Sequence, residues 1–252
     1  MIGGLAVWSV GHEPATVPEQ RDIGQAVPEL QRAAGVVFAA AGGPGRAVVL
    51  GELTFSRDCR VTPVRDGLIA EREVTVYVRT GEARAALDAI AAGLPPKYQA
   101  DVAVGRAGTR FSLHADAGNF IGIDAESDAG APAVTIRLST GCRPTGSGDP
   151  DRGDPSARPA PALLEAVLTA LAASSGDAPP AVRAVACPAG GVAATYVVDG
   201  VAAPSDLAGS LRRMDAGVVR ADSEVRAYRT GNDSVVIEPD GARLRVSVST
   251  AC

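Results

Sequence analysis

The sequence has few aromatic residues, a single lysine and no basic run, and these shortages limit both its core and its partners. Aromatic residues make up 4% of the 252 positions, so the core has to be built from Val, Leu, Ile and Ala. Lys97 is the only lysine, and the net charge is -5. Because nucleic-acid-binding proteins usually present a basic face, we expect no nucleic-acid partner. The predominance of Arg over Lys, with abundant Ala, Gly and Val, is typical of a GC-rich bacterial genome.

The N-terminal hydrophobic run, Ile2–Val10, is too short to span a bilayer. It has nine residues, whereas a spanning helix needs about 20. It also lacks the basic leader and the cleavage site of a complete signal peptide. We predict that residues 1–25 are the outer end of a membrane or signal helix followed by a polar connector. Membrane contact would then occur only through this N-terminal anchor. The alternative is a short packed strand or a frayed terminus.

The motifs of several enzyme and metal-site classes are missing. Gly42–Gly45 is rich in glycine, but it lies between a helical and a strand pattern and lacks the Gly-Lys-Ser/Thr of a phosphate-binding loop. Asp124, Glu126 and Asp128 alternate like the first ligands of a calcium loop. The positions that require glycine and glutamate in that motif hold alanine and threonine instead. We therefore expect no cofactor and no metal.

A nine-residue pattern that ends in cysteine occurs twice. Val134–Cys142 reads V-T-I-R-L-S-T-G-C, and Leu244–Cys252 reads L-R-V-S-V-S-T-A-C. Each copy is preceded by a further cysteine, Cys59 in the first case and Cys187 in the second. Helix and strand patterns before each copy also follow the same order. We therefore interpret the chain as a duplicated unit.

The four cysteines allow three pairings, of which one repeats within each copy. We predict the disulfides Cys59–Cys142 and Cys187–Cys252, each stabilising its unit by about 4 kcal/mol on the chain-entropy argument. Disulfides indicate an oxidising compartment. Four free buried thiols and a zinc site are the alternatives. Zinc is disfavoured because there is no C-x-x-C pair and neither histidine is near a cysteine.

The order of the elements predicts an α+β fold with two tandem related domains. Residues 26–144 and 162–252 each show helix, two strands, helix, and then three or four strands joined by short turns. This order favours an antiparallel sheet packed by two helices. We expect each disulfide to join the first strand to the last as neighbours in the sheet. The first helices are apolar on most sides, which favours either domain packing or an apolar cleft.

Residues 145–161 are rich in Pro, Gly and Asp and are predicted to form an exposed linker. Its carboxylates Asp149, Asp151 and Asp154 are expected to be solvated. The tripeptide Arg152-Gly153-Asp154 matches an adhesion motif. A three-residue match in such a composition is expected by chance.

His114 and Asp116 are the only weak candidates for catalysis. They are two residues apart in a strand, so their side chains share one face and could act as an acid/base pair. No nucleophile elbow accompanies them. The alternative is a solvated strand face.

The sequence therefore favours a non-enzymatic binding or interaction module, exported or anchored at the extracellular face of a bacterial membrane. Its expected partner is a protein or another component of the cell envelope. The first alternative is a carrier of lipid or of a small apolar ligand. The second is a hydrolase that uses His114 and Asp116.

Overall fold

The computed structural model describes residues 21–105, 107–146, 150–172, 179–212 and 217–252. The predicted apolar segment at Ile2–Val10 lies outside the described residues, as does Asp149. No described helix is both long enough and apolar enough to cross a membrane.

The described residues contain four α-helices: α1 (Ile23–Ala41), α2 (Ala83–Gly93), α3 (Ala162–Ala170) and α4 (Leu207–Leu211). In the sequence, Pro28-Glu29 and the apolar stripe that follows predict a helix that begins at Pro28, and this boundary is wrong. The helix begins at Ile23 because the Asp22 side chain accepts a hydrogen bond from the backbone N–H of Gln25. Such a cap satisfies an N–H group that lacks a partner within the helix.

The first sheet is antiparallel and has the order β1-β4-β8-β7-β6-β5. Its strands are β1 (Arg46–Ser56), β4 (Ile69–Val78), β5 (Asp101–Val104), β6 (Arg110–Asp116), β7 (Gly122–Asp128) and β8 (Ala133–Ser139). A small hairpin of β2 (Arg60–Thr62) and β3 (Arg65–Asp66) follows β1. The sequence pattern predicts a strand around Asn119–Asp124, which would begin before β7 does. Asn119 and Phe120 instead have φ angles of 55° and 61°, which a turn accommodates and a strand does not.

The second sheet is also antiparallel, with the order β11-β12-β13-β14-β10-β9. Its strands are β9 (Ala181–Ala186), β10 (Val192–Ala202), β11 (Val218–Ala221), β12 (Arg226–Thr230), β13 (Asp233–Asp240) and β14 (Arg243–Ser249). When the strands are counted along the chain, both sheets follow the order first, second, sixth, fifth, fourth, third. The fold is thus α+β with antiparallel sheets.

Both predicted disulfides, Cys59–Cys142 and Cys187–Cys252, are present. The expectation that each joins neighbouring strands is wrong, because β4 lies between β1 and β8, and β10 lies between β9 and β14. The cysteines follow the ends of these strands, so each bridge crosses over the end of the intervening strand. The bridges therefore tie the ends of a three-stranded portion of each sheet.

The first sheet meets the second through the edge strand β1. The Val48 N–H donates to Ser234 Oγ at 3.0 Å, and the Leu50 N–H donates to Thr195 Oγ1 at 2.9 Å. These hydroxyls satisfy backbone donors that an edge strand would otherwise leave unpaired. The edge of the first sheet therefore contacts a face of the second.

Helix α1 and strand β9 make a second close contact between the two halves. A Cβ atom at Gly35 would overlap the carbonyl of Ala186. Val185, also on β9, belongs to the same buried cluster as Val37 and Leu30 of α1. The core around α1 therefore includes residues from both halves of the chain.

The segment 145–161 is less exposed than predicted. Asp154 forms an ion pair with Arg72, whose side chain is fully buried, and accepts hydrogen bonds from Gln31 and the Ala184 N–H. The Tyr196 hydroxyl donates to the Arg158 carbonyl at 2.6 Å. The expectation of a solvated Asp154 is wrong, because a buried arginine requires a counter-charge. Asp151 is exposed, as expected.

Candidate functional site

A pocket of about 600 Å³ opens where the C-terminal end of α1 and the start of β1 meet the second sheet. The glycine-rich turn Gly42–Gly45 forms one wall, and the segment Thr250–Cys252 forms another. The volume falls within the range of small-molecule sites, about 300–1,000 Å³. Because both halves contribute, the pocket depends on the way the two sheets pack.

Arginines are the only charged side chains among the described residues that line this pocket. Arg79, just after β4, is about half exposed and lies 3.6 Å from Glu82, which is outside the lining. Arg229, on β12, is more buried. No described Asp or Glu side chain lines the pocket, although the chain has 29 acidic residues against 24 basic ones. The charged side chains of the described lining are therefore all positive, in a protein whose net charge is -5.

Arg229 is held in place by two backbone carbonyls. Its Nη1 donates to Arg46 O at 3.2 Å and its Nη2 donates to Asn232 O at 2.7 Å. Burial lowers the pKa of Arg229, and the nearby Asp233 partly offsets this effect. These contacts fix the guanidinium at the junction between the two sheets.

Arg46 adds a third positive charge behind the glycine-rich turn. Its Nη2 donates to the Gly42 carbonyl, and a side chain at Gly43 would overlap the guanidinium. Burial lowers the pKa of Arg46, and repulsion from Arg229 lowers it further. The buried Nη1 of Arg46 has no hydrogen-bond acceptor among the described residues. A buried donor without a partner is unfavourable by about 1–3 kcal/mol.

Two buried hydroxyls complete the polar lining. Ser234 and Ser249 are only 3% and 2% exposed. Ser234 Oγ accepts the hydrogen bond from the Val48 N–H, which leaves its own proton able to donate. Ser249 Oγ lies 2.7 Å from Thr195 Oγ1. The pocket thus combines guanidinium and hydroxyl donors.

The wall formed by Thr250–Cys252 is anchored at two points. The Thr250 N–H donates to Ala194 O at 2.9 Å. The disulfide Cys187–Cys252 then ties the last residue to the loop after β9. The predicted disulfide therefore helps to shape the pocket, a role that the sequence did not indicate.

The structure does not bring His114 and Asp116 together. His114 Nδ1 lies 2.7 Å from Asp124 Oδ1 on the neighbouring strand β7. Asp116 accepts a hydrogen bond from the Gly118 N–H. The His114 and Asp124 side chains are 73% and 62% exposed. This pair lies on a solvated strand face.

The remaining carboxylates that the sequence analysis considered do not form a metal-binding cluster among the described residues. Glu126 and Asp128 point to the exposed face of β7, and Asp128 lies 3.7 Å from Arg110. Within the described ranges, no group of His, Cys, Asp and Glu residues is arranged to hold a metal. In the Arg-Gly-Asp tripeptide, Arg152 stacks 4.4 Å from the centre of the Phe55 ring while Asp154 binds Arg72.

A second cleft of about 530 Å³ lies on the other side of β1, but its charges are mixed. Tyr77 donates to Glu238 Oε1 at 2.6 Å across the two sheets. Burial raises the pKa of Tyr77, and the hydrogen bond to Glu238 raises it further. Arg183 at this cleft pairs with Glu52. The lining of this cleft thus holds three carboxylates and two guanidiniums, whereas the described lining of the first pocket holds guanidiniums alone.

The sequence did not identify the arginine-lined pocket. Arg79, Arg229 and Ser234 are far apart along the chain, so no spacing motif connects them. Gly42–Gly45 is the one local signal, and its sequence does not fit a phosphate-binding loop. In the structure this turn forms part of the pocket wall and contacts Arg46.

No protein-family description matches the chain, and no curated protein matches it. Among solved structures, the dehydratase domain of a mycocerosic acid synthase-like PKS shows 13% identity and a TM-score of 0.16. That alignment covers 81% of this chain and 98% of the other. A likeness of this size carries no argument about fold or function.

Proposed function

We propose that the chain is an exported, non-enzymatic binding protein of the bacterial cell envelope, and that it binds a small ligand in the pocket between its two sheets. The observation that carries this proposal is the pocket itself. It is open, of ligand size, and lined by polar groups from both halves.

The two halves are proposed to be tandem related domains, each with its own disulfide. The shared strand order and the equivalent positions of the two disulfides support a duplication. The second half has shorter helices in its described part, so the relationship rests mainly on the sheets.

The two disulfides support a location outside the cytoplasm. Disulfides persist in oxidising compartments and are rare in the cytosol of most organisms. No cysteine is free in the structure. The extracellular face of the membrane, or secretion, is therefore the proposed location.

The pocket favours a polar ligand over the apolar or lipid ligand considered as the first alternative. Its lining contains Arg79 and Arg229 together with the buried hydroxyls of Ser234 and Ser249. A site for a purely apolar ligand would leave these groups desolvated without partners, which is unfavourable. The hydrolase alternative gains no support from the exposed His114–Asp124 pair.

The proposal is tested by blocking the pocket. Ala251→Trp places a large ring at an exposed position of the pocket wall, and Ala203→Trp makes the same change at an exposed loop outside it. Thermal unfolding is measured with a panel of neutral sugars, amines, carboxylates and phosphates. We expect at least one compound to stabilise the wild-type protein and the Ala203→Trp variant, but not the Ala251→Trp variant.

The proposal fails if no compound raises the unfolding temperature. It also fails if a compound stabilises the blocked variant as much as the wild-type protein, because that ligand then binds elsewhere.

A further inference from the structure

We infer that the ligand of this pocket carries an oxyanion, either a carboxylate or a phosphate, that binds between Arg79 and Arg229. The inference rests on the proposed function, since it specifies the ligand class of the same pocket. Three features support it: the charge of the lining, the buried Nη1 of Arg46 without a described acceptor, and the buried hydroxyls in the lining.

The charge of the lining is the first argument. Arg79 and Arg229 are its only charged side chains among the described residues. A guanidinium presents planar, paired N–H donors that match the oxygens of carboxylates and phosphates. A cationic ligand would meet repulsion from both arginines, and a neutral ligand would leave their charge uncompensated.

Arg46 supplies the second argument. It lies beside Arg229, which donates to the Arg46 backbone carbonyl, and the two guanidiniums repel each other. The buried Nη1 of Arg46 has no described acceptor. An anion in the adjoining pocket would offset the repulsion and lower the energy of the whole arginine cluster. Glycine at position 43 allows the Arg46 guanidinium to lie against the turn, because a Cβ atom there would overlap it.

The hydroxyls supply the third argument. Ser234 is 3% exposed, and its oxygen accepts from the Val48 N–H, so its proton is able to donate to another acceptor. An oxyanion offers several lone pairs and can accept from a hydroxyl and a guanidinium at once. The same donor set is poorly matched to a ligand that only donates.

Arg79 and Arg229 are expected to contribute in different ways. Arg79 is about half exposed, and its one ion pair among the described residues is with Glu82 at 3.6 Å, so it is able to move onto a ligand. Arg229 is fixed by Arg46 O and Asn232 O and presents a preformed donor. Replacing Arg79 therefore removes a ligand contact with little effect on folding. Replacing Arg229 also disturbs the junction.

The test measures the binding of inorganic phosphate and of citrate by calorimetry, at constant ionic strength, to the full chain. We compare the wild-type protein with Arg79→Gln, Arg229→Gln and Arg110→Gln, the last being an exposed arginine on β6 outside the pocket. Constant ionic strength removes general screening from the comparison. We expect Arg79→Gln and Arg229→Gln each to weaken binding about tenfold or more, as expected for a lost charged hydrogen bond. Arg110→Gln should match the wild-type protein.

The two ligands distinguish the source of the oxyanion, since tighter binding of phosphate indicates a phosphorylated ligand and tighter binding of citrate a carboxylate. Arg79→Gln is decisive if Arg229→Gln fails to fold.

The inference is overturned if neither anion binds, or if both bind Arg79→Gln as well as the wild-type protein. Binding of a sugar or amine that is abolished by Ala251→Trp would overturn the oxyanion inference and leave the proposed pocket function standing. Absence of any pocket-dependent ligand would overturn both.

Discussion

Arg72 and Asp154 are joined by two parallel hydrogen bonds, Nη1 to Oδ1 at 2.7 Å and Nη2 to Oδ2 at 2.8 Å. Arg72 lies on β4 with no exposed side-chain surface, and Asp154 lies in the connector between the two halves. Asp154 also binds Gln31 of α1 and the Ala184 N–H of β9. One carboxylate therefore links the first sheet, the first helix, the connector and the second sheet.

Asp154→Asn is predicted to destabilise the protein by about 3 kcal/mol, because removing one member of a buried pair leaves the other charge uncompensated. Asp151→Asn is the matched control. Asp151 is exposed, and among the described residues its side chain accepts a hydrogen bond from the Gly153 N–H alone. Urea unfolding should show a loss for the first variant and a change within about 0.5 kcal/mol for the second. Equal stability of both variants would show that the buried pair does not stabilise the fold.

The Asp154 carboxylate also predicts how the stability of the protein depends on pH. Burial by itself raises the pKa of Asp154, but the hydrogen bonds from Arg72, Ala184 and Gln31 outweigh burial and hold the pKa below its ordinary value. Its stabilising effect is therefore complete above the unfolded-state pKa of about 3.9 and is lost as the pH falls through the folded-state pKa.

Urea unfolding of the wild-type protein and of Asp154→Asn across this pH range checks that dependence. The stability difference between them should be constant above about pH 5 and should shrink below about pH 4. A difference that grows on acidification would contradict the assignment.

The hydrogen bonds from β1 to hydroxyl groups of the second sheet predict a further effect on stability. Thr195→Val keeps the shape of a fully buried side chain but removes the acceptor of the Leu50 N–H. We expect a loss of about 1–3 kcal/mol in chemical denaturation, as for a buried unsatisfied donor. Thr135→Val, at an exposed position of β8, makes the same chemical change without this contact. A similar small effect in both variants would argue against direct contact between β1 and the second sheet.

The disulfides predict two separate stability losses. The bridges span 83 and 65 residues, so the chain-entropy argument gives about 4 kcal/mol for each. Replacing Cys59 and Cys142 together by alanine, or Cys187 and Cys252 together, should lower the unfolding free energy by roughly that amount. Peptide mapping without reduction checks the pairing. A peptide linking Cys59 to Cys187 or Cys252 would contradict it.

The antiparallel sheets and disulfide pairing could be predicted because their signals are local or repeated. Alternating residues in β8 and β14 mark buried strand faces, and the common Ser-Thr-x-Cys ending defines which cysteines correspond. The location of the bridges across an intervening strand was missed, because strand order depends on contacts between distant segments. The N-terminal end of α1 was also missed, since Asp22 was not recognised as a cap.

The candidate site could not be predicted because its parts meet only after the two sheets pack. Arg79 and Arg229 belong to different halves, and each alone resembles an ordinary surface arginine. The histidine pattern did not indicate the contact that His114 makes. His114 and Asp116 are two residues apart on one strand, but His114 Nδ1 lies 2.7 Å from Oδ1 of the cross-strand neighbour Asp124. Sequence periodicity shows which residues share a face and does not show which pair across strands.

The central claim is that the two sheets pack directly on each other and so create the pocket, and the stability of Gly35→Ala tests it most directly. Helix propensity alone makes alanine more favourable than glycine by about 1 kcal/mol within a helix. In this structure the added Cβ would overlap the carbonyl of Ala186 on β9. Gly24→Ala, in the exposed first turn of the same helix, is the control, because its nearest neighbour, the capping carboxylate of Asp22 at 3.3 Å, has to shift by only a few tenths of an ångström.

Chemical denaturation of the wild-type protein and the two variants gives the answer by the sign of the change. The account predicts that Gly35→Ala lowers the free energy of unfolding by about 1–3 kcal/mol through overpacking, whereas Gly24→Ala leaves it unchanged or raises it. A Gly35→Ala variant as stable as the wild-type protein, or more stable, would contradict the packing of α1 against β9 and with it the pocket.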